Sequence, residues 1–312
     1  MENQKPRIEF YRQRSFSDKL NVTFDFIREN WLPLLKYSFY LITPVCLIQS
    51  LAMNSITKIA FSSIKDLQGD SPFGFSMLSF FVNYGALLFC MLIGYAIMSG
   101  FIYAMMQTYA VRENRLQDVT LSDFKDLLVK NAWKYIRLLL AFIFVFILIV
   151  MFMGLLAGIT VWSLTLTIPL LLFSIVCIIP LILVIPAYIF ERDITFSEAL
   201  RKGWKLGFAT MGGVFGLVIV LYLISYVITT VTSLPWNVAT IAGTIFSFTS
   251  EAVIRQSVFY KFALYLLGLL QAYGMYLSSV IGVVGVAFQY FHAREKVEGV
   301  TFESNISNFG NL

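Results

Sequence analysis

The chain predicts an all-α fold: a polytopic membrane helical bundle with six transmembrane helices and three cytoplasmic interfacial amphipathic helices, arranged as a three-fold repeat of one helix followed by one hairpin. Three observations predict it. Hydrophobic residues make up 58% of the 312 positions and charged residues only 13%, where soluble domains carry about 25% charged residues. The apolar residues are bunched into six stretches, near 34–57, 77–106, 136–160, 164–190, 209–234 and 260–290. Each is long enough, at about 1.5 Å per helical residue, to cross a hydrocarbon core about 30 Å thick. Lys and Arg gather in alternate connections, which makes the two sides of the chain electrically different. Continuous apolar stretches of this length exclude an outer-membrane barrel, whose strands alternate over about ten residues.

Taken in order, the first 30 residues are polar and charged, so no cleavable leader is expected and the first span should remain as an anchor. Spans three and four are separated by only a few residues around Trp162 and Ser163, the spacing of a tight hairpin. Pro169, Pro180 and Pro186 fall in the fourth span, where each removes a backbone donor. A packing kink there is preferred over the border of a cavity. Residues 235–258, from Pro235-Trp236-Asn237 to Glu251 and Arg255, are too mixed for a span yet apolar enough to dip into the interface, so a re-entrant segment is one option. A polar tail, 291–312, completes a single membrane domain, 1–312.

Orientation comes from the bases. Residues 1–36 hold seven Lys and Arg, 107–137 six, 191–208 four and the tail two, against Lys58, Lys65, Arg255 and Lys261 on the opposite side. The positive-inside rule then places both termini and the loops after spans two and four in the cytoplasm. The net charge of +5 reflects this topology and attraction to anionic lipid, with no nucleic-acid partner expected.

Three cytoplasmic segments begin alike: Ser15-Phe16-Ser17-Asp18, Thr120-Leu121-Ser122-Asp123 and Thr195-Phe196-Ser197-Glu198. A hydroxyl with a carboxylate three residues later is a capping box, so a helix should start at each. Each start leads into an amphipathic pattern. Phe16, Leu20, Phe24, Ile27 and Trp31 share one face, with Asp18, Lys19, Asp25, Arg28 and Glu29 largely on the other. Leu121, Phe124, Leu128 and Tyr135 oppose Asp123, Lys125, Asp126 and Lys130, and Phe196, Leu200, Trp204 and Phe208 oppose Glu198, Arg201, Lys202 and Lys205. Such helices lie in the membrane interface. The repeat units are 15–106, 120–190 and 195–290, and the first and third align without gaps from Phe16/Phe196 to Phe24/Trp204.

The segment Ile194-Thr195-Phe196-Ser197-Glu198-Ala199-Leu200-Arg201-Lys202-Gly203-Trp204-Lys205 resembles the recurring element of a broad group of uncharacterised bacterial multi-pass proteins. That group includes the membrane domain found next to glycerophosphodiester phosphodiesterases. Phe16-Ser17-Asp18-Lys19-Leu20 and Phe26-Ile27-Arg28-Glu29-Asn30-Trp31 are similar to proteins typical of Bacteroides-like bacteria. The resemblance implies the layout of the chain and carries no catalytic residue.

Chemistry is sparse. A carotenoid-cleaving iron site or a His-Glu-x-x-His zinc site needs several histidines, and the chain has one, His292, read as an interfacial residue. Cys46, Cys90 and Cys177 lie in apolar stretches without paired spacing and read as small core hydrophobes. No Asp, Glu, Lys or Arg falls near the middle of a span, which argues against a pump or ion-coupled transporter. Gln49, Asn83 and Gln271 read as interhelical hydrogen-bonding residues, and Gly212, Gly216, Gly268, Gly274, Gly282 and Gly285 as packing positions.

No metal, cofactor or catalytic residue is therefore expected. The leading expectation is a non-enzymatic protein that engages lipids or envelope partners, the alternative is a channel or transporter of lipid-like or small hydrophobic substrates, and a membrane enzyme comes last. Candidate contacts to anionic headgroups are Arg28, Lys36, Lys125, Lys130, Lys134, Arg201, Lys202 and Lys205. A purely topological role for the same charges stands beside this reading.

Overall fold

The computed structural model describes residues 6–66, 74–159, 169, 176–191, 193–248 and 257–301, without the side chains of 58, 60–66, 74–77, 156–159, 244 and 246–248. Among the described residues every regular element is helical. These are α1 (Phe16–Glu29), α2 (Trp31–Asp66), α3 (Gly74–Val111), α4 (Leu121–Ile159), a 3-10 turn (Ile179–Leu183), α5 (Val184–Phe190), α6 (Phe196–Ala209), α7 (Met211–Phe248) and α8 (Val258–Glu298). Among the described residues, five helical segments are long and apolar enough to cross a membrane: Trp31–Thr57, Leu78–Val111, Leu121–Leu155, Met211–Gly243 and Val258–Glu298. The architecture is that of a multi-pass helical membrane protein.

The expected hairpin turn at Trp162 and Ser163, and most of the first half of the expected fourth span, lie outside the described residues. The described end of that span, Val176–Phe190, is a shorter apolar helix. It contains the 3-10 turn with Pro180 near its start, as expected where a proline removes a backbone donor. Of the segment 235–258, residues 249–256 lie outside the described residues, and residues 235–248 are not re-entrant. They continue α7 as one helix with Pro235 inside it, and Trp236 Nε1 donates to Asn54 Oδ1 at 3.0 Å.

Helices start where the capping motifs lie. Ser15 and Thr195 each form a complete reciprocal box, with Asp18 and Glu198 respectively. At Thr120 the box is one-sided: the Asp123 carboxylate accepts from Thr120 N–H at 2.8 Å, but Asp123 N–H goes to the Thr120 carbonyl at 3.2 Å.

The three helices end differently, and here the expectation of three separate interfacial helices needs correction. α1 stops at Asn30, whose backbone N–H and side-chain Nδ2 both donate to the Phe26 carbonyl, at 3.2 and 2.8 Å. α6 stops at Thr210, which engages the Leu206 carbonyl the same way, at 3.2 and 2.9 Å. Both residues lie fifteen positions after their cap. The residue fifteen after Thr120 is Tyr135, whose ring cannot fold back onto that carbonyl, and α4 runs on to Ile159. The residues just past position fifteen reinforce the contrast. Pro33, in the first turn of α2, would clash with the Glu29 carbonyl in a continuous helix at a cost of about 3 kcal/mol. Gly212-Gly213 are poor helix formers, whereas Ile136-Arg137-Leu138 carry no such obstacle. The second amphipathic segment is therefore the first third of a long helix.

The chain divides into two compact units. One comprises 1–31, 99–222 and 281–312. Here α6 packs on the 3-10 turn and α5, and a Cβ added at Gly203 or Gly207 would stand 2.6 Å from Val184 Cα or 2.2 Å from the Pro180 carbonyl oxygen. Side chains four and eleven positions after each cap are buried: Lys19, Phe124 and Ala199, then Phe26, Asn131 and Leu206. Position nine, nearly half a turn away at 3.6 residues per turn, is an exposed large apolar residue each time: Phe24 at 40%, Val129 at 48% and Trp204 at 53%. Burial of Lys19 departs from its expected place on the polar face. Its Nζ donates to Gln289 Oε1 at 2.8 Å, and desolvation, then the charge of Lys296, pushes its pKa down.

The other unit, 32–98 and 223–280, is tied by interhelical hydrogen bonds. The Tyr276 hydroxyl donates toward Gln49 Oε1 and lies 3.1 Å from the Cys90 carbonyl. Ser50 Oγ donates to the Tyr265 carbonyl at 2.8 Å, and Ser225 Oγ to the Ser278 carbonyl at 3.0 Å. Gln49 is thus interhelical as expected, while Asn83 Nδ2 turns back to the Ser79 carbonyl of its own helix. Gln271 Oε1 is buried without a hydrogen-bond partner among the described residues. A Cβ at Gly268 or Gly274 would collide with Ser50 or Thr232, as expected of packing glycines. In the first unit Gly285 is equally close to Leu221, but Gly212 and Gly282 face open space.

Candidate functional site

The first unit contains a cavity of about 500 Å³. Its basic side comes from α4, where Leu127, Lys130, Asn131 and Lys134 fall at the three- and four-residue spacing that puts them on one helix face. The end of α3 adds Gln107, Thr108 and Arg112, and the end of α5 adds Ile189, Phe190 and Glu191. Phe291 of α8 and Phe10 and Tyr11 of the N-terminal segment form an aromatic wall.

That wall is built by the irregular segment before α1. Phe10 stacks on Tyr109 with centroids 5.9 Å apart and meets Phe291 at 5.0 Å. Arg7 donates to the Tyr109 carbonyl, Ile8 N–H to the Tyr109 hydroxyl at 3.2 Å, and Arg14 N–H to His292 Nδ1 at 2.9 Å. His292 is thus an anchor for this segment.

The charges lining the cavity are not equally free. Glu191 belongs to a ring of alternating sign: Lys202 lies 2.6 Å from Glu191 and 3.1 Å from Glu298, while Arg294 lies 3.2 Å from Glu191 and 3.0 Å from Glu298. The Tyr290 hydroxyl donates to Glu191 at 2.6 Å, and Arg294 donates to the Tyr11 hydroxyl at 3.1 Å. Burial opposes ionisation of Glu191, but hydrogen bonds from Lys202 and Tyr290 and the charge of Arg294 outweigh it and hold its carboxyl below the usual range. Arg112 is paired with Asp123 at 2.9 Å. Lys134 donates to the Tyr188 carbonyl and lies 4.7 Å from the centre of that ring. Lys130 is exposed and forms no ion pair among the described residues. Among the described residues, the lining charges without an ion pair are therefore those of two lysines one helical turn apart.

Of the eight expected headgroup contacts, the fold brings Lys130 and Lys134 together here. Arg28, Lys125, Arg201 and Lys205 are exposed elsewhere on the first unit, and Lys36 is exposed in the second, 5.3 Å from the Tyr37 ring centre. Lys202 is held by two carboxylates. Sequence reasoning missed the ion ring, although the four-residue spacing of Arg294 and Glu298 was readable. It also missed Gly203 and Gly207, whose small-xxx-small spacing was the available signal. Among the described residues no group of three or more His, Cys, Asp or Glu could hold a metal ion. No protein-family model, curated protein or solved structure matches the chain.

Proposed function

We propose that the chain is a non-enzymatic, six-span protein of a bacterial inner membrane, with both termini cytoplasmic and a three-fold repeat of helix and hairpin, that engages anionic phospholipid headgroups. The observation that carries this reading is the shared face pattern of α1, α6 and the start of α4. Each buries positions four and eleven after its cap and exposes a large apolar residue at position nine, with basic residues between. A helix at a membrane interface needs those three sectors, one for the protein, one for acyl chains and one for headgroups and water. The common position of the breaks at Asn30 and Thr210 supports the repeat, and the relation to the glycerophosphodiester phosphodiesterase-associated membrane domains rests on the short segments 194–205 and 16–31.

Two measurements test the proposal. Cysteine labelling should reach residue 115 only from the cytoplasm and residue 255 only from outside; labelling from one side rejects the six-span topology. Replacing Lys125, Arg201 and Lys205 with Gln should lower the anionic lipid that accompanies the purified, folded protein, because each base near a negative leaflet contributes about 1 kcal/mol. Unchanged lipid leaves those charges a topological role only. The cavity beside Ile189–Glu191 favours one second reading, transport of lipid-like substrates, which a flux assay in proteoliposomes separates from binding alone.

A further inference from the structure

Resting on that lipid-engaging reading, we infer that the cavity between α3, α4 and the N-terminal segment is a discrete site for one glycerophospholipid, its phosphate held by Lys130 and Lys134 and its glycerol region lying against the aromatic wall. Two lysines four residues apart on one helix repel each other and destabilise it. Among the described residues no carboxylate forms an ion pair with either lysine. Glu191 is committed to Lys202, Arg294 and Tyr290, and Asp123 to Arg112. A phosphate bridging the two ammonium groups removes the repulsion and gains charge-assisted hydrogen bonds.

The donors for this are in place. An ammonium has three N–H groups, and Lys134 spends one on the Tyr188 carbonyl. Asn131 Nδ2 and Gln107 Nε2 donate onward, to Gln107 Oε1 at 2.9 Å and the Ile189 carbonyl at 3.2 Å. This chain fixes the polar floor between the lysines and α5. The opposite wall is apolar: Phe190 and Phe291 lie with centroids 4.8 Å apart, and Phe10 and Tyr11 each meet Phe291 at 5.0 Å. The volume of about 500 Å³ falls within the range of about 300–1,000 Å³ typical of small-molecule sites, room for a headgroup and glycerol. A soluble phosphate ester would match the lysines but leave the aromatic wall against water, so the pairing of the two surfaces selects an amphiphile.

Native mass spectrometry of the full chain, released from micelles containing phosphatidylglycerol or phosphatidylcholine, tests the inference. One phosphatidylglycerol should persist under activation that strips the others, and phosphatidylcholine should not. Lys130→Gln with Lys134→Gln should weaken that lipid by about tenfold or more, while Lys130→Arg with Lys134→Arg retains it. Lys125→Gln with Arg201→Gln and Lys205→Gln should remove loosely held lipids and spare the tight one, so the general reading and the discrete site fail separately. A Gln variant that unfolds at the wild-type temperature and keeps its tight lipid overturns the site. Displacement of that lipid by millimolar glycerol 3-phosphate overturns the lipid assignment in favour of a soluble phosphate ester.

Discussion

α1 and α6 start with a reciprocal capping box and end fifteen residues later on a side chain that competes for a helix carbonyl. α4 starts with the same four-residue pattern, closes only half of the box and passes position fifteen without a break. All three bury the same positions, four and eleven. Face and length are thus governed separately: the inward face by spacing from the cap, the end by one polar side chain and by the proline or glycines just beyond it.

The largest effect that should separate these helices comes from close packing. Gly207→Leu would drive a side chain into the Pro180 carbonyl, and the backbone of the 3-10 turn cannot step aside, so a loss of about 3 kcal/mol is expected. The same position on α1 is Ile27, half-buried, and Ile27→Leu should cost less than about 1.5 kcal/mol. Thermal unfolding of both variants in detergent measures the difference, and equal losses would show that α6 does not depend on backbone contact.

The caps come next. Ser15→Ala and Thr195→Ala should each cost about 1 kcal/mol, whereas Thr120→Ala should cost about half as much, since Asp123 N–H already bonds to a backbone carbonyl. Hydrogen exchange of the first-turn amides reads this locally. Equal deprotection at all three starts would remove the distinction drawn between complete and one-sided boxes.

A smaller energy but a visible change of shape is expected from Thr210→Leu. Removing the hydroxyl that competes for the Leu206 carbonyl should shift the distance between spin labels at Arg201 and Tyr222 toward about 31 Å, the length of 21 residues of straight helix. A distance that stays at its wild-type value would assign the break to Gly212-Gly213 and to packing.

The smallest effect concerns the ion ring that only α6 joins, through Lys202. The Glu191 carboxyl is depressed in the folded protein relative to an unfolded value of about 4.3. Its contribution is therefore fully present above that value and lost as the pH falls through the lower, folded pKa. Protease protection of the N-terminal segment should be flat from neutral pH to about 5 and fall below about 4. Glu191→Gln should flatten that acid response; an unchanged profile would place its cause elsewhere.

Much of this was legible in the residues. Apolar runs of membrane length need no partner to be recognised, because the bilayer sets their length. Capping boxes are local, and the helices begin within one residue of Ser15, Thr120 and Thr195. The breaks were only half legible: Pro33 and Gly212-Gly213 stand in plain view, but whether Asn30 and Thr210 turn back onto a carbonyl or reach across to a neighbour depends on what surrounds them.

The cavity and the ion ring were not legible, for a reason of distance along the chain. Lys130 and Lys134 share a helix face by spacing alone, yet Phe10, Phe190 and Phe291 come from three separate segments. Glu191, Lys202, Arg294 and Glu298 likewise reach one another only because α6 settles on its two glycines against the turn at Pro180. Solvent and helix starts could be read from the residues in order, since both depend on neighbours within a few positions, whereas the inward face could not: Lys19, Thr23 and Asn131 are buried while Phe24 and Trp204 are exposed. Which charges are neutralised, and which two lysines are left facing an aromatic wall, is set only when distant segments meet, because electrostatic pairing depends on distance in space.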